Sequence, residues 1–338
     1  MPWPTRVDRF TSNFPMADAS RPLLLAGLRA RDHSAAIRAF CVSHRVPAMV
    51  TYKAKGVVPD RDAWFAGVFT NGALEREILD QSDLLIAVGL DRVELLPRPW
   101  TLPQPVVEID DAASLQTFAE GLDVSEWDAA ELQRTIAEQR ARLHVRLTPD
   151  AAIGLTPDRV VRIASSAAPS ARVAVDAGAH MFPATLLWPI DEPNGMLISN
   201  GLSTMGFALP AAVGAASLER DRVVVALTGD GGLLMCTGEL LTLVREALRV
   251  IVIVFSDNTL SLIDVKQRQR RFASAGVTLG DVGWASIAEG FRMPGYVAST
   301  EDELQRALAA SLAYRGPSLV DARIDPSPYA DLIRTARG

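Results

Sequence analysis

Residues 228–267 constrain the fold of this chain more than any other segment, because they combine two acidic loops with a helix and a strand between them. The continuous apolar runs at 223–227 and 249–255 are typical of strands buried on both faces of a parallel sheet. Apolar residues at helical spacing in 233–247 predict a helix that connects the two strands by a right-handed crossover. Both loops are then expected at one carboxyl edge of the sheet, where ligands of α/β proteins bind.

Each of these strands is followed by an acidic loop. The first loop consists of Gly229, Asp230, Gly231 and Gly232. Its glycines allow backbone N–H groups to approach an anion at a helix N-terminus. We expect Asp230 to converge with Asp257 of the second loop on one hard cation such as Mg²⁺, with a backbone carbonyl near Thr259 as a further ligand. The alternative is that Asp230 only caps a helix and Asp257 only makes a turn.

The segment resembles the thiamine-diphosphate-binding motif of thiamine-diphosphate-dependent enzymes, especially the acetolactate synthase and benzoylformate decarboxylase group. That motif begins with Gly-Asp-Gly and ends near an Asn pair, and Asp230 and Asp257 have the family's separation of 27 positions. The resemblance implies that both aspartates give side-chain oxygens to Mg²⁺ and that Thr259 gives its carbonyl. Ser256 stands where the family usually has Asn, and this difference removes no metal ligand.

Two upstream segments resemble further parts of the same cofactor site. Residues 173–180 are similar to a strand and turn that approach the diphosphate, which implies roles for Gly178 and His180. Packing or capping is the alternative for this histidine. Residues 199–207 are similar to a glycine-rich turn in which Met205 supports the bent cofactor and the Ser203 carbonyl accepts from its amino group. The alternative for Met205 is a flexible side chain that fills a gap in the core.

The stretch after the second acidic loop, at 260–267, is expected to form a helix that covers the thiazolium ring of the cofactor. The resemblance places Leu260 near the cofactor and Leu262 and Ile263 beside the substrate. At the position of Ile263, members resembling pyruvate decarboxylase have Glu, whereas members resembling acetolactate synthase have an aliphatic residue. The match therefore favours carboligation.

The first third of the chain has the pattern of a second α/β domain. Apolar runs at 23–27, 47–56, 83–91 and 105–110 end in polar turns and alternate with helical stretches. This alternation predicts a Rossmann-like parallel sheet. The segment resembles the central domain of the same enzymes, which in some relatives holds FAD or ADP. No Gly-x-Gly-x-x-Gly follows the first run, so the motif gives a nucleotide no support here.

The predicted fold class is α/β, with two Rossmann-like domains whose mainly parallel sheets are flanked by helices. The 338 residues are enough for about two domains. We place an irregular lead at 1–20, the central domain at 21–122 and a helical connector at 123–155. The thiamine-diphosphate-binding domain with a C-terminal tail then occupies 156–338.

Composition excludes several classes of function. The net charge of −6 gives no sign of the basic surface that binds nucleic acid. Apolar runs are too short to span a bilayer and the first residues lack an apolar signal segment, so we expect no membrane partner and a cytoplasmic location. Cys41 and Cys236 are far apart and are expected to be buried thiols, and with four scattered histidines they form no zinc pattern.

The resemblance also implies a partner. Full-length members carry another domain whose Glu contacts the pyrimidine ring and activates the cofactor, and no segment of this chain resembles it. We expect the chain to be the diphosphate-binding subunit of a split enzyme that decarboxylates a 2-oxoacid and joins the product to an acceptor. A separate pyrimidine-binding subunit would supply the Glu in a two-plus-two hetero-oligomer. The alternatives are a simple 2-oxoacid decarboxylase, a 2-hydroxyacyl-CoA lyase, or a non-catalytic cofactor-binding or regulatory module.

Overall fold

The structure is a computed structural model that describes residues 19–96, 99–147, 154–199 and 201–338. The expected irregular lead, apart from its last two residues, lies outside the described residues, as do residues 148–153 of the expected connector. Among the helices of the described ranges, none combines the length and the apolar character that a membrane crossing requires. Cys41 and Cys236 are free thiols, as predicted, but only Cys41 is buried, whereas Cys236 is half-buried.

The described residues form two compact units. The first holds the described residues up to Ala141 together with Pro189–Gly195 and Thr335–Gly338. The second holds Met196–Arg334 and the described part of Arg142–Trp188. The domain boundaries given above remain a prediction.

The first unit contains a five-stranded parallel sheet. Its strands are β1 Pro22–Ala26, β2 Ala48–Val50, β3 Phe65–Val68, β4 Leu84–Val88 and β5 Val106–Ile109, in the order β3-β2-β1-β4-β5. The helices are α1 Ser34–His44, α2 Arg76–Leu79, α3 Ala112–Ala119 and α4 Ala129–Leu147. In the central strand β1 all five residues are buried, because its neighbours are strands on both edges and packed residues on both faces.

The second unit contains a six-stranded parallel sheet. Its strands are β6 Arg172–Val175, β7 Met196–Ile198, β8 Val224–Gly229, β9 Val250–Ser256, β10 Gly295–Ala298 and β11 Ser318–Arg323, in the order β10-β11-β9-β8-β6-β7. The helices are α5 Pro157–Ala167, α6 Met181–Leu187, α7 Ala208–Leu218, α8 Asp230–Cys236, α9 Glu239–Arg245, α10 Ser261–Gln269, α11 Trp284–Gly290, α12 Glu301–Ala313 and α13 Tyr329–Arg337. All strand pairs of both sheets are parallel, which confirms the predicted α/β class.

Local chemistry accounts for several helix boundaries. Asp111 caps α3 by accepting from the backbone amide of Ser114. Thr300 and Glu303 form a capping box at the start of α12. The single helix predicted over 233–247 is instead the pair α8 and α9. Between them the amides of Leu240 and Leu241 bond to carbonyls only three residues back, because the Thr-Gly pair at 237–238 has low helix propensity.

Strands β8 and β9 form the centre of the second sheet. They pair in register, so that Gly229 lies opposite Phe255 at the ends of the two strands. The loops that follow therefore leave the sheet side by side. This arrangement places Asp230 and Asp257 at one edge, as the order of the elements predicted.

Candidate functional site

A cavity of about 220 Å³ lies at the carboxyl edge of the second unit's sheet. Its walls come from the ends of β6, β8 and β9, the turn before α7, the first turns of α8 and α10, and the start of α13. The residues that the sequence analysis proposed for the site line this one cavity. They are Gly178, His180, Ser203, Met205, Gly229, Asp230, Gly231, Gly232, Asp257, Thr259, Leu260, Leu262 and Ile263.

Asp230 is held in a fixed orientation by the loop that carries the other acid. The residue is 2% exposed. Oδ2 accepts from the backbone amides of Asp257 and Asn258, both at 2.8 Å. Oδ1 accepts from Nε1 of Trp284 at 2.7 Å and from Oγ of Ser256 at 3.2 Å. These bonds join the two acidic loops directly, so the position of one aspartate sets that of the other.

Asp257 lies in a less solvated environment than a free carboxylate. Burial raises the pKa of Asp257 to about 6; a hydrogen bond from Ser261 opposes this shift, and the nearby charge of Asp230 adds to it. The backbone amide of Thr259 also donates to this carboxylate, at 3.0 Å. A carboxylate whose pKa is raised by burial and by a neighbouring negative charge is stabilised when a divalent cation binds to it.

Two backbone hydrogen bonds and a β-bridge hold the backbone of the loop that carries Asp257. The amide of Leu260 donates to the carbonyl of Val277 at 2.8 Å, and the amide of Leu279 donates to the carbonyl of Asn258 at 2.9 Å. Thr259 forms an isolated antiparallel bridge with Thr278 between these bonds. The backbone carbonyl of Thr259 therefore belongs to a fixed segment rather than to a free loop.

His180 combines packing with an unused polar atom. Its ring stacks on Phe255 with centroids 5.2 Å apart, which supports a packing role. Burial lowers the pKa of His180 to about 4, against the opposing charges of Asp176 and Asp230, so the imidazole is neutral near pH 7. Its buried Nε2 has no hydrogen-bond partner among the described residues. A buried polar atom of this kind indicates a missing partner, and a polar ligand in the cavity would supply one.

Asp176 is a site residue that sequence reasoning missed. Fully buried, it accepts from the amides of Phe207 at 2.9 Å and Gly206 at 3.1 Å, and from Oγ1 of Thr228 at 2.9 Å. It thereby ties the turn that carries Met205 to strand β8. The signal was present in the sequence, since Asp176 follows an apolar strand just as Asp230 does.

Glycines in the first acidic loop make room for the neighbouring turns. A Cβ at Gly231 would lie 2.3 Å from Cδ2 of Leu260 and 3.0 Å from Cε of Met205. Met205 is half-buried and its methyl end lies over this glycine at the wall of the cavity. Met205 therefore lies at the surface of the cavity, whereas a side chain that fills a gap in the core would be fully buried.

The cavity also has lining residues to which the sequence analysis assigned no role. They are Ala177, Ala179, Phe255, Ser261, Lys266 and Tyr329. Several of these are neighbours of predicted residues. Tyr329 is different, because it follows the last strand and no motif includes it.

Replacing Gly232 by Ala is expected to destabilise the second unit by about 1–3 kcal/mol, because a Cβ would lie 2.0 Å from Oδ2 of the buried Asp176. The measurement is the free energy of unfolding from denaturant titration. Gly214→Ala in α7 is the matched control, because nothing lies within 4 Å of its Cβ and Ala is the better helix residue. Equal behaviour of the two variants would contradict the role given to Asp176.

Comparisons with known proteins identify the family. Residues 176–322 match the family model described as thiamine pyrophosphate enzyme, C-terminal TPP binding domain. Residues 15–117 match the model described as thiamine pyrophosphate enzyme, central domain. The chain belongs to the thiamine pyrophosphate enzyme family. Thiamine pyrophosphate is another name for thiamine diphosphate, so the predicted family is confirmed.

Among curated proteins, several relatives of this thiamine pyrophosphate enzyme are acetolactate synthases. The catabolic acetolactate synthase of Raoultella terrigena is 30% identical over 92% of this chain and 61% of its own length. The acetolactate synthase of Bacillus subtilis is 26% identical over 94% of this chain and 60% of its own length. The acetolactate synthase isozyme 1 large subunit of Escherichia coli is 29% identical over 91% of this chain and 59% of its own length. The chain thus spans about 60% of the length of these relatives.

The cavity residues fit thiamine diphosphate with a divalent cation. Asp230 and Asp257 offer hard carboxylate oxygens, and the unpartnered Nε2 of His180 lies at the same wall. Within the described ranges no three acidic, histidine or cysteine side chains form a cluster that could hold a metal ion alone. A cation here would therefore need backbone and phosphate oxygens as its other ligands, which is how Mg²⁺ commonly binds with phosphates.

Proposed function

We propose that this chain supplies the half of an active site that binds the diphosphate and Mg²⁺ in an acetolactate-synthase-like 2-oxoacid decarboxylase and carboligase. The observation that carries the proposal is the joining of Asp230 to the Asp257 loop by two backbone hydrogen bonds of 2.8 Å. Family membership and the acetolactate synthase relatives support it further. Thiamine diphosphate supplies the electron sink for this carbon–carbon bond chemistry.

The chain's own residues bind and orient the cofactor in this proposal. Asp230, Asp257 and the carbonyl of Thr259 would hold Mg²⁺, and the four donors to Asp230 already fix the direction of its carboxylate. Gly178, His180 and the glycines at 229, 231 and 232 surround the diphosphate. Met205 would support the cofactor from the wall of the cavity, and the Ser203 carbonyl would accept from the cofactor's amino group.

The wall formed by α10 supports carboligation over simple decarboxylation. This helix contributes Leu262 and Ile263 to the cavity, together with Ser261 and Lys266, and contributes no carboxylic acid from the described residues. Leu260 extends the apolar part of the wall. The apolar side chains of this wall offer no carboxyl proton to the reacting carbon, so a second carbonyl compound can react there instead.

A separate pyrimidine-binding subunit completes the site in this proposal, in a two-plus-two assembly. In the described part of the cavity the acidic lining residues are Asp230 and Asp257, both assigned to Mg²⁺, and no glutamate lines it. Next to Ser203 the side chain of Leu202 is 92% exposed, and Met235 on α8 is 67% exposed. Exposed apolar side chains beside a site are typical of a surface that another polypeptide covers. FAD or ADP in the central domain stays a prediction.

Calorimetric titration with thiamine diphosphate of the chain, alone and combined with its pyrimidine-binding partner, tests the proposal. Binding is expected in Mg²⁺ and is expected to disappear in EDTA, because two carboxylates alone repel the diphosphate. Thiamine without phosphates is the control ligand, and its affinity should not depend on Mg²⁺. Metal-independent binding of the diphosphate form would show that the two aspartates do not form a metal site.

A further inference from the structure

Tyr329, the first residue of α13, reaches the cavity through a segment tied to the loop that carries Asp257. The chain leaves β11 with the amide of Ile324 donating to the carbonyl of Ser256 at 3.0 Å. Ser256 directly precedes Asp257, so this bond holds the segment beside the end of β9. The amide of Tyr329 then donates to the carbonyl of Pro326 at 3.0 Å, which turns the chain into α13. The fold thus brings a residue from near the C-terminus to the acidic end of the site.

The phenol of Tyr329 is buried and its hydroxyl has no protein partner in the described part of the chain. The residue is 2% exposed and lines the cavity with Asp230 and Asp257. A tyrosine hydroxyl is neutral near pH 7 and able to donate a hydrogen bond. Tyrosines that are largely buried usually form a hydrogen bond through the hydroxyl, and a ligand in the cavity that Tyr329 lines would supply an acceptor.

The neighbouring charges restrict what that acceptor can be. Asp230 already accepts four hydrogen bonds, and Asp257 accepts from Thr259 and Ser261. An oxygen anion can lie beside two carboxylates only together with a cation that offsets the repulsion. A diphosphate bound through a divalent cation meets both conditions.

We propose that Tyr329 is a further ligand-binding residue whose hydroxyl donates a hydrogen bond to an oxygen of the Mg²⁺-bound diphosphate group. The inference rests on the proposed function and adds to it a contact from outside the recognised motifs. A ring that only packs in the wall is the competing role. Removing the hydroxyl alone distinguishes the two roles.

The test is the dissociation constant of thiamine diphosphate in Mg²⁺, measured by calorimetry for the wild type and for Tyr329→Phe. Phe keeps the ring, so a rise in the dissociation constant of about 10-fold is expected from loss of one hydrogen bond to a charged group. Thiamine, which lacks the phosphates, is expected to bind both proteins equally. Tyr314→Phe is the matched control, because Tyr314 is exposed and lies outside the cavity lining.

The outcomes separate this inference from the function on which it rests. A dissociation constant for Tyr329→Phe within about twofold of the wild type would overturn the inference alone. Equal weakening of thiamine and thiamine diphosphate would also overturn it, since that result indicates packing. Failure of the wild type, both alone and combined with the pyrimidine-binding partner, to bind thiamine diphosphate in Mg²⁺ would remove the proposed function, and the inference with it.

Discussion

Replacing Asp230 by Asn is expected to weaken Mg²⁺-dependent binding of thiamine diphosphate by at least about 100-fold. Loss of a residue that only orients a metal ligand typically costs 10- to 100-fold in metal affinity, so loss of the ligand's charge should cost at least as much. The substitution also disturbs the loop. An amide group would turn a donor toward either Trp284 or the backbone amides of Asp257 and Asn258, all of which are donors themselves.

The measurement is the calorimetric dissociation constant at saturating Mg²⁺, with thermal unfolding followed in parallel. Asp281→Asn is the matched control, because Asp281 belongs to the same unit but is exposed and pairs with Arg323. The control should bind the cofactor as the wild type does. Unchanged affinity of Asp230→Asn would contradict the metal site, and so would equal weakening in both variants.

Turnover of a 2-oxoacid is expected only when this chain is combined with a pyrimidine-binding polypeptide. In the described cavity both acidic side chains are assigned to Mg²⁺, which leaves no glutamate to activate the cofactor. Acid–base assistance by one positioned group contributes about 10²- to 10⁴-fold to a rate, so the isolated chain should be slower by at least that factor. The assembled enzyme should have two copies of each chain, since closed two-fold arrangements are the commonest.

The assay measures CO₂ release from a panel of 2-oxoacids by the chain, by the co-purified partner and by their mixture. Light scattering gives the mass of the mixture. Replacing the partner's activating Glu by Gln is expected to remove the activity while assembly persists. The chain can be denatured and refolded free of any partner. Decarboxylation at the full rate by this refolded chain would contradict the split-enzyme proposal.

The strands that carry the candidate site could be predicted from the sequence. Apolar runs at 223–227 and 249–255 correspond to β8 and β9, because strands buried on both faces need continuous apolar residues whatever their neighbours are. Parallel pairing then places both strand ends at one edge, where Asp230 and Asp257 lie. The helix break between α8 and α9 was missed, because apolar spacing continues through the Thr-Gly pair.

The sequence by itself determined the α/β class, the two acidic loops and the glycines between them, since each depends on residues close together in the chain. Only the tertiary structure decided which distant groups complete the site. Trp284 donates to Asp230 from 54 positions away, Asp176 accepts from Thr228 across 52 positions, and Tyr329 arrives from beyond the last strand. Such partners depend on how helices pack at the sheet edge, and local patterns of polarity contain no information about that packing.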